Sequence, residues 1–202
     1  MSIWSYLRSL LTPLPVPSTD AEMHAAERDI ELDALPESVR RARSMVGQGR
    51  YCLGAGGRDP AAARPFGPCA KPDVHTHEHA GPVFADCSGF VAWCVQHRRV
   101  VDVDPGPKRD DVWFYTDTLE ADAGPRPIKG DLGDGVPWAQ AEPGDLIVYG
   151  AGPKIGHVGI VSASDHTGPT KVIHCQASKT PAVVETSAAL FKAKGAVILR
   201  LR

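Results

Sequence analysis

The sequence predicts an α+β domain in which helices on the N-terminal side pack on an antiparallel sheet of roughly five or six strands. Three observations carry this expectation. Cys87, Phe90, Val91, Cys94 and Val95 recur at i, i+3, i+4 and i+7, the stripe of a helix with one buried face, while Gln96, Arg98 and Arg99 fall off it onto a wet face. Gly144-Asp145-Leu146-Ile147-Val148-Tyr149 and Gly156-His157-Val158-Gly159-Ile160-Val161 read as successive antiparallel strands joined by a Gly/Pro-rich turn. Val172-Ile173-His174-Cys175-Gln176 then alternates faces as a strand must.

Taken in order, residues 1–35 read as a helical extension and linker, and residues 36–202 as the functional domain. Ile3, Trp4, Leu7, Leu10 and Leu11 share one helical face that a Pro-rich linker, Thr12 to Ser18, brings to an end. That face packs on its own domain, or docks on a membrane surface or a carrier. Asp20 to Ala34 reads as a helix with Asp20 at its N-cap; Pro36 opens the next helix and Gly47 closes it. Strands are expected at Asp145 to Gly150, His157 to Ala163, Lys171 to Ala177, Pro181 to Glu185 and Ala196 to Arg202, with a helix at Thr186 to Lys194.

A formal charge of −2 without a long basic run argues against nucleic acid as a partner. No stretch reaches the apolar length that spans a bilayer, so stable membrane insertion is not expected. Met1 to Leu14 has one arginine, a tryptophan and no small-residue cleavage site, a poor secretory signal. The expectation is a bacterial protein made in the cytoplasm and delivered to its site of action by another route.

The chemistry starts at Asp86-Cys87-Ser88-Gly89. A thiol at the first turn of a helix lies among backbone N–H groups without intrahelical partners, at the positive end of the macrodipole, which favours the thiolate. His157 and His174 supply an imidazole and a group to orient it; because side chains alternate along a strand, His174 and Cys175 point in opposite directions. Nucleophile, base and orienter are then Cys87, His157 and His174. Four cysteines remain, allowing three complete pairings; Cys52 and Cys69 flank one loop and make the most plausible bridge, whereas Cys94 and Cys175 read as reduced core residues.

With these pieces in order, the chain from about Pro36 to Arg202 resembles the NlpC-type bacterial cell-wall cysteine peptidases, a branch of the papain-like fold. The matching segments are Arg41 to Tyr51, the glycines 54, 56 and 57, the nucleophile motif Asp86 to Val91, Glu142-Pro143-Gly144-Asp145-Leu146, and Gly156 to Ile160. The resemblance implies hydrolysis of an amide bond in peptidoglycan stem peptides, often the D-glutamyl bond to a diamino acid, through an acyl-enzyme and without a cofactor. It implies an oxyanion site formed by the backbone N–H of Cys87 with Tyr51, and a substrate amine held by Asp86 and Ser88. Each has a plainer reading: Asp86 as an N-cap, Ser88 as a first-turn residue, Tyr51 as a packing aromatic. It also implies a secreted antibacterial effector or lysin, with an immunity or carrier protein as partner, or an intracellular wall-recycling peptidase.

The segment Arg58 to Ala85, with five prolines, is longer than the family's usual loop and carries His75, His77 and His79. The expected role is a loop covering the substrate; a zinc site with Cys69 or Glu78 is the alternative, although the spacing matches no standard set. Ala121 to Trp138 reads as a second insertion, and Trp113, Phe114 and Tyr115 as core or groove aromatics. Two other functions fit the same residues: an acyltransferase or lipid amidase on this scaffold, and a metal-binding recognition module with an idle site.

Overall fold

A computed structural model describes residues 34–69, 83–97, 99, 114, 116–123, 132–150 and 156–202. Met1–Ala34 and Leu35–Arg202 are separate units of the chain, and the second is described here. The N-terminal helices expected before Ala34, the histidines at 75, 77 and 79, and Trp113 and Tyr115 lie outside the described residues.

Helix α1 (Glu37–Ser44) begins after Pro36, whose fixed φ suits a helix start. Glu37 in its first turn and Arg41 and Arg43 in its last complement the helix dipole, and Val39 and Ala42 form its buried side. The chain turns at Gly47 (φ +82°), whose N–H donates to Val183 O at 3.0 Å, and enters the short strand β1 (Arg50–Tyr51). β1 pairs in parallel with β2 (Phe84–Ala85), Tyr51 lying opposite Ala85. Asp86 then caps helix α2 (Cys87–Cys94).

All eight residues of α2 are buried. The sequence had been expected to give a one-sided helix, but it is apolar around its circumference from Phe90 to Cys94, and it lies in the core between the glycine turn, α1 and the sheet. Arg99, assigned above to a wet face, is 2 % exposed.

Helix α3 (Thr116–Asp122) ends within what reads as an insertion, and strand β3 (Gly133–Val136) lies in it. β4 (Leu146–Tyr149), β5 (His157–Asp165), β6 (Gly168–Cys175), β7 (Val183–Ser187), the one-turn helix α4 (Ala189–Lys192) and β8 (Val197–Leu201) follow. Among the described residues the main sheet has six strands in the order β3-β8-β4-β5-β6-β7, antiparallel throughout. The α+β, papain-like architecture is thus present. β5 and β6 extend beyond the expected bounds into a tight hairpin at Asp165–Gly168, where the Thr167 N–H and hydroxyl both donate to Asp165 Oδ1. The helix expected from Thr186 starts later, at Ala189, because Thr186 pairs with Val172 and completes β7.

Alternation divides the sheet. Leu146, Val148, Val158, Ile160, Ile173, Cys175, Val183 and Leu199 face α1, α2 and α3; Ile147, Val161, Val172 and Ile198 face Ala188 and Phe191 around α4. Each such side chain contributes about 1.5–3 kcal/mol by leaving water. Cys94 and Cys175 are buried free thiols, as expected. The sulfurs of Cys52 and Cys69 lie 2.7 Å apart, so the two cysteines that flank the loop are neighbours.

The approach of the glycine turn to α2 allows no side chains between them. A Cβ on Gly57 would lie 2.3 Å from Gly89 O, and one on Gly89 would lie 2.5 Å from Ala55 O. Gly89→Ala in an ordinary helix would stabilise by about 0.5–1 kcal/mol. Here it is expected to destabilise by about 1–3 kcal/mol, since the new Cβ would lie 2.5 Å from Ala55 O and 2.9 Å from Gly56 O, both backbone. Denaturant unfolding of the variant checks the sign; equal or greater stability would mean the turn does not press on the helix.

Candidate active site

Asp86 fixes the position of Cys87. Oδ1 accepts from the Gly89 N–H (2.7 Å), the helix N-cap bond, and from the Ser88 hydroxyl (3.1 Å). Oδ2 accepts from the Gly54 N–H (2.7 Å) in the glycine turn and from Arg99 Nη2 (2.7 Å). Asp86 and Arg99 are 1 % and 2 % exposed, so this is a buried ion pair with hydrogen bonds around it. Four donors fill the carboxylate, and Ser88 spends its hydroxyl on it. That geometry is the N-cap reading of Asp86.

Cys87 follows as the first residue of α2 and is 5 % exposed. Backbone N–H groups of Val158 and Ser88 donate to its sulfur, so the thiol adjoins the start of β5, where His157 stands. The helix-terminal preference for a thiolate is opposed at this position. Burial, then the Asp86 charge, push the thiol up to about 12, against the smaller lowering effects of the Val158 N–H, Arg99 and the Ser88 N–H.

His157 and His174 come from neighbouring strands and share a face. His157 Nε2 and His174 Nδ1 are 2.7 Å apart, their rings nearly perpendicular, and His174 Nε2 lies 3.0 Å from Thr186 Oγ1. With Nε2 of His157 engaged, Nδ1 is its nitrogen available to a thiol. Phe191 stacks on His157 at 5.5 Å and meets His174 edge-on at 5.2 Å. Burial holds His157 down at about 4; burial, then the His157 charge, holds His174 at about 3. Both rings are therefore neutral at pH 7. Gly159 is what lets them meet: a Cβ there would lie 2.4 Å from Val172 Cγ1 and 3.1 Å from His174 Cβ. His174 also sits on the face opposite Cys175, whose sulfur is buried against Ala85 O at 3.4 Å.

A groove of about 470 Å³ opens over the histidines, lined among others by Tyr51, Tyr149, His157, His174, Phe191 and Lys194. Cys87 does not line it. Tyr51 is close enough to Cys87 and Asp86 for their charges to act on it; burial, then those charges, push its hydroxyl far above the ordinary range. It is therefore a neutral O–H donor at every working pH, the form an oxyanion site needs.

Four residues of this neighbourhood escaped the sequence reading: Arg99, Tyr149, Thr186 and Phe191. Tyr149 pairs directly across from His157, its ring tilted against the imidazole at 5.9 Å, so its position at the end of the strand before the histidine is a usable signal. Arg99, Thr186 and Phe191 act through tertiary contacts that no local pattern announces. Among the described residues no group of three or more His, Cys, Asp or Glu could hold a metal ion, and no helix is long and apolar enough to cross a membrane.

A cysteine on the first turn of a buried helix, its sulfur next to the Val158 backbone of the strand that carries His157, and two imidazoles 2.7 Å apart on the antiparallel sheet are the parts that a papain-like thiol hydrolase uses. The CHAP domain family model matches residues 77–176, just under half of the chain, a stretch that contains Cys87, His157 and His174. CHAP is a peptidoglycan-hydrolase domain of the cysteine peptidase type, so the match supports an amidase or peptidase acting on peptidoglycan. No curated protein matches the chain.

Two outcomes are expected. Asp86→Asn leaves the Arg99 charge buried beside a neutral amide and should cost about 3–5 kcal/mol, read by urea unfolding; a loss under about 1 kcal/mol would show that the pair is not holding the turn. Iodoacetamide alkylation of Cys87 in the substrate-free protein should be slow at pH 7 and should rise with pH through pH 10, because only the thiolate reacts and the thiol titrates near 12. A rate that levels off below pH 7 would instead reveal a standing thiolate–imidazolium pair.

Proposed function

We propose that this chain is a cysteine endopeptidase of peptidoglycan, close in kind to the NlpC-type enzymes, that cuts stem peptides through an acyl-enzyme on Cys87. The observation that carries the reading is the 2.7 Å contact between His157 and His174 beside the strand residue whose N–H bonds the Cys87 sulfur.

The chemistry follows from the resting protonation states. Thiol and imidazole both start neutral, so His157 Nδ1 takes the thiol proton as the C–S bond to the substrate carbonyl forms. The oxygen of the tetrahedral intermediate gains charge opposite the Tyr51 hydroxyl and the helix-terminal N–H of Cys87. His157, now protonated, gives that proton to the leaving amine as the C–N bond breaks. Water then loses a proton to His157, attacks the thioester and releases the carboxylic acid, and the thiol recovers its proton from the imidazolium. His174 holds the His157 ring in place throughout. The D-glutamyl bond to a diamino acid is the proposed scissile bond.

Digestion of purified peptidoglycan, with the new amino and carboxyl termini identified by mass spectrometry, tests the reading. The wild type is expected to release stem-peptide fragments, and Cys87→Ala and His157→Ala to lose about 10³-fold or more in kcat. Fragments released equally by Cys87→Ala would sink it. Periplasm-directed expression extends the test to an antibacterial role: lysis by the wild type and none by Cys87→Ala is the expected pair of results.

A further inference from the structure

The two histidines have four ring nitrogens, three with partners given by geometry and the fourth with one given by the reaction. Resting on the reading above, in which His157 accepts the thiol proton at Nδ1, the remaining protons can be placed by elimination. A neutral imidazole carries one N–H, so a His157 with a bare Nδ1 carries its proton on Nε2. That N–H points at His174 Nδ1, 2.7 Å away, which must then be the bare, accepting nitrogen of its ring. His174 therefore carries its proton on Nε2, 3.0 Å from Thr186 Oγ1. A hydroxyl both donates and accepts; here only acceptance is compatible with the two rings.

We propose that Thr186 is a positioning residue that sets the tautomer of both histidines by accepting the Nε2–H of His174. The fold puts it there for a definite reason. Val172 pairs with Thr186 and His174 with Val184, so Thr186 stands diagonally across from His174 on the next strand, within reach on the same face. The half-buried site offers limited water to replace it, and Phe191 covers the edge of the His174 ring. Without the hydroxyl, the His174 proton gains by moving to Nδ1, where it would meet the Nε2–H of His157. To avoid two donors facing each other, His157 must then shift its own proton to Nδ1, the nitrogen that has to be bare for the thiol. One methyl-for-hydroxyl exchange on β7 would thus disarm a base it does not touch.

Thr186→Val, nearly isosteric, is expected to lower kcat on peptidoglycan fragments about ten- to a hundredfold with KM within about twofold, and Thr186→Ser to recover most of the loss. A merely structural threonine would not show that split between valine and serine. The ¹⁵N shifts of the two rings give a readout independent of turnover and of whether the valine variant folds. In the wild type His174 should be protonated on Nε2, and in Thr186→Val on Nδ1. A wild-type His174 with a bare Nε2, a Thr186→Val enzyme of normal kcat, or a serine variant as impaired as the valine one would each overturn the proposal. If Cys87→Ala remains active, the reading of the site itself has failed; if Cys87→Ala is dead and Thr186→Val is unaffected, only the tautomer relay has.

Discussion

The buried carboxylate of Asp86 is the interaction on which the site depends. Its four hydrogen bonds join three pieces of chain that are far apart in sequence: the glycine turn through Gly54, the first turn of α2 through Ser88 and Gly89, and the segment after α2 through Arg99. The turn in turn lies against α2 at Gly57 and Gly89, with no room for a methyl group, and Arg99 Nη1 also bonds Ala55 O at 3.1 Å. A buried ion pair is seldom a net source of stability against an apolar pair of the same shape, but breaking one is expensive. Its contribution is geometric. It fixes the direction from which α2 enters the core, and with it the place of Cys87.

That fixation has an electrostatic consequence. A helix N-terminus favours a thiolate by up to about 2 kcal/mol. Raising the thiol from its ordinary range to about 12 corresponds to about 4 kcal/mol in the other direction. Burial of the sulfur wins, and the Asp86 charge adds to it, while Arg99 offsets part. The cap that builds the helix thus works against the charged nucleophile, and the paired arginine moderates the conflict.

The parts of the fold that were legible in sequence are those with a strong local period or a fixed backbone demand. The β4 and β5 runs, the Pro36 start and the Gly47 stop all emerged at close to their observed places. So did the opposite facing of His174 and Cys175, which follows from the two-residue repeat alone. What failed was what depends on surroundings. The helix α2 reads as one-sided because Gln96, Arg98 and Arg99 are polar, yet it ends at Cys94, and Arg99 is drawn into the core by a carboxylate thirteen residues earlier. Thr186 reads as a helix start, but its β-branched side chain suits a strand and cross-strand pairing with Val172 places it in β7. The thiolate expectation failed for the same reason: a dipole can be read from the local sequence, desolvation cannot.

A neutral resting pair changes what the rest of the site must do. An enzyme holding a standing thiolate–imidazolium pair carries that separation of charge in its resting state. In the mechanism proposed for this chain the charges appear only as the thiol proton moves to His157, so they are concentrated in the transition state and the intermediate that follows. Groups that stabilise them should then be oriented dipoles, which cost little to bury before the reaction, rather than counter-ions. The described residues around the site have that character. The Tyr51 hydroxyl stays protonated because burial and the nearby charges oppose its ionisation; the Val158 and Ser88 N–H groups face the sulfur; His174 is held neutral and presents a lone pair to His157. The buried ion pair of Asp86 with Arg99 is spent on architecture. Rate in such a site therefore depends on how well the dipoles are pointed, which makes a hydroxyl two groups away from the sulfur a natural place for control.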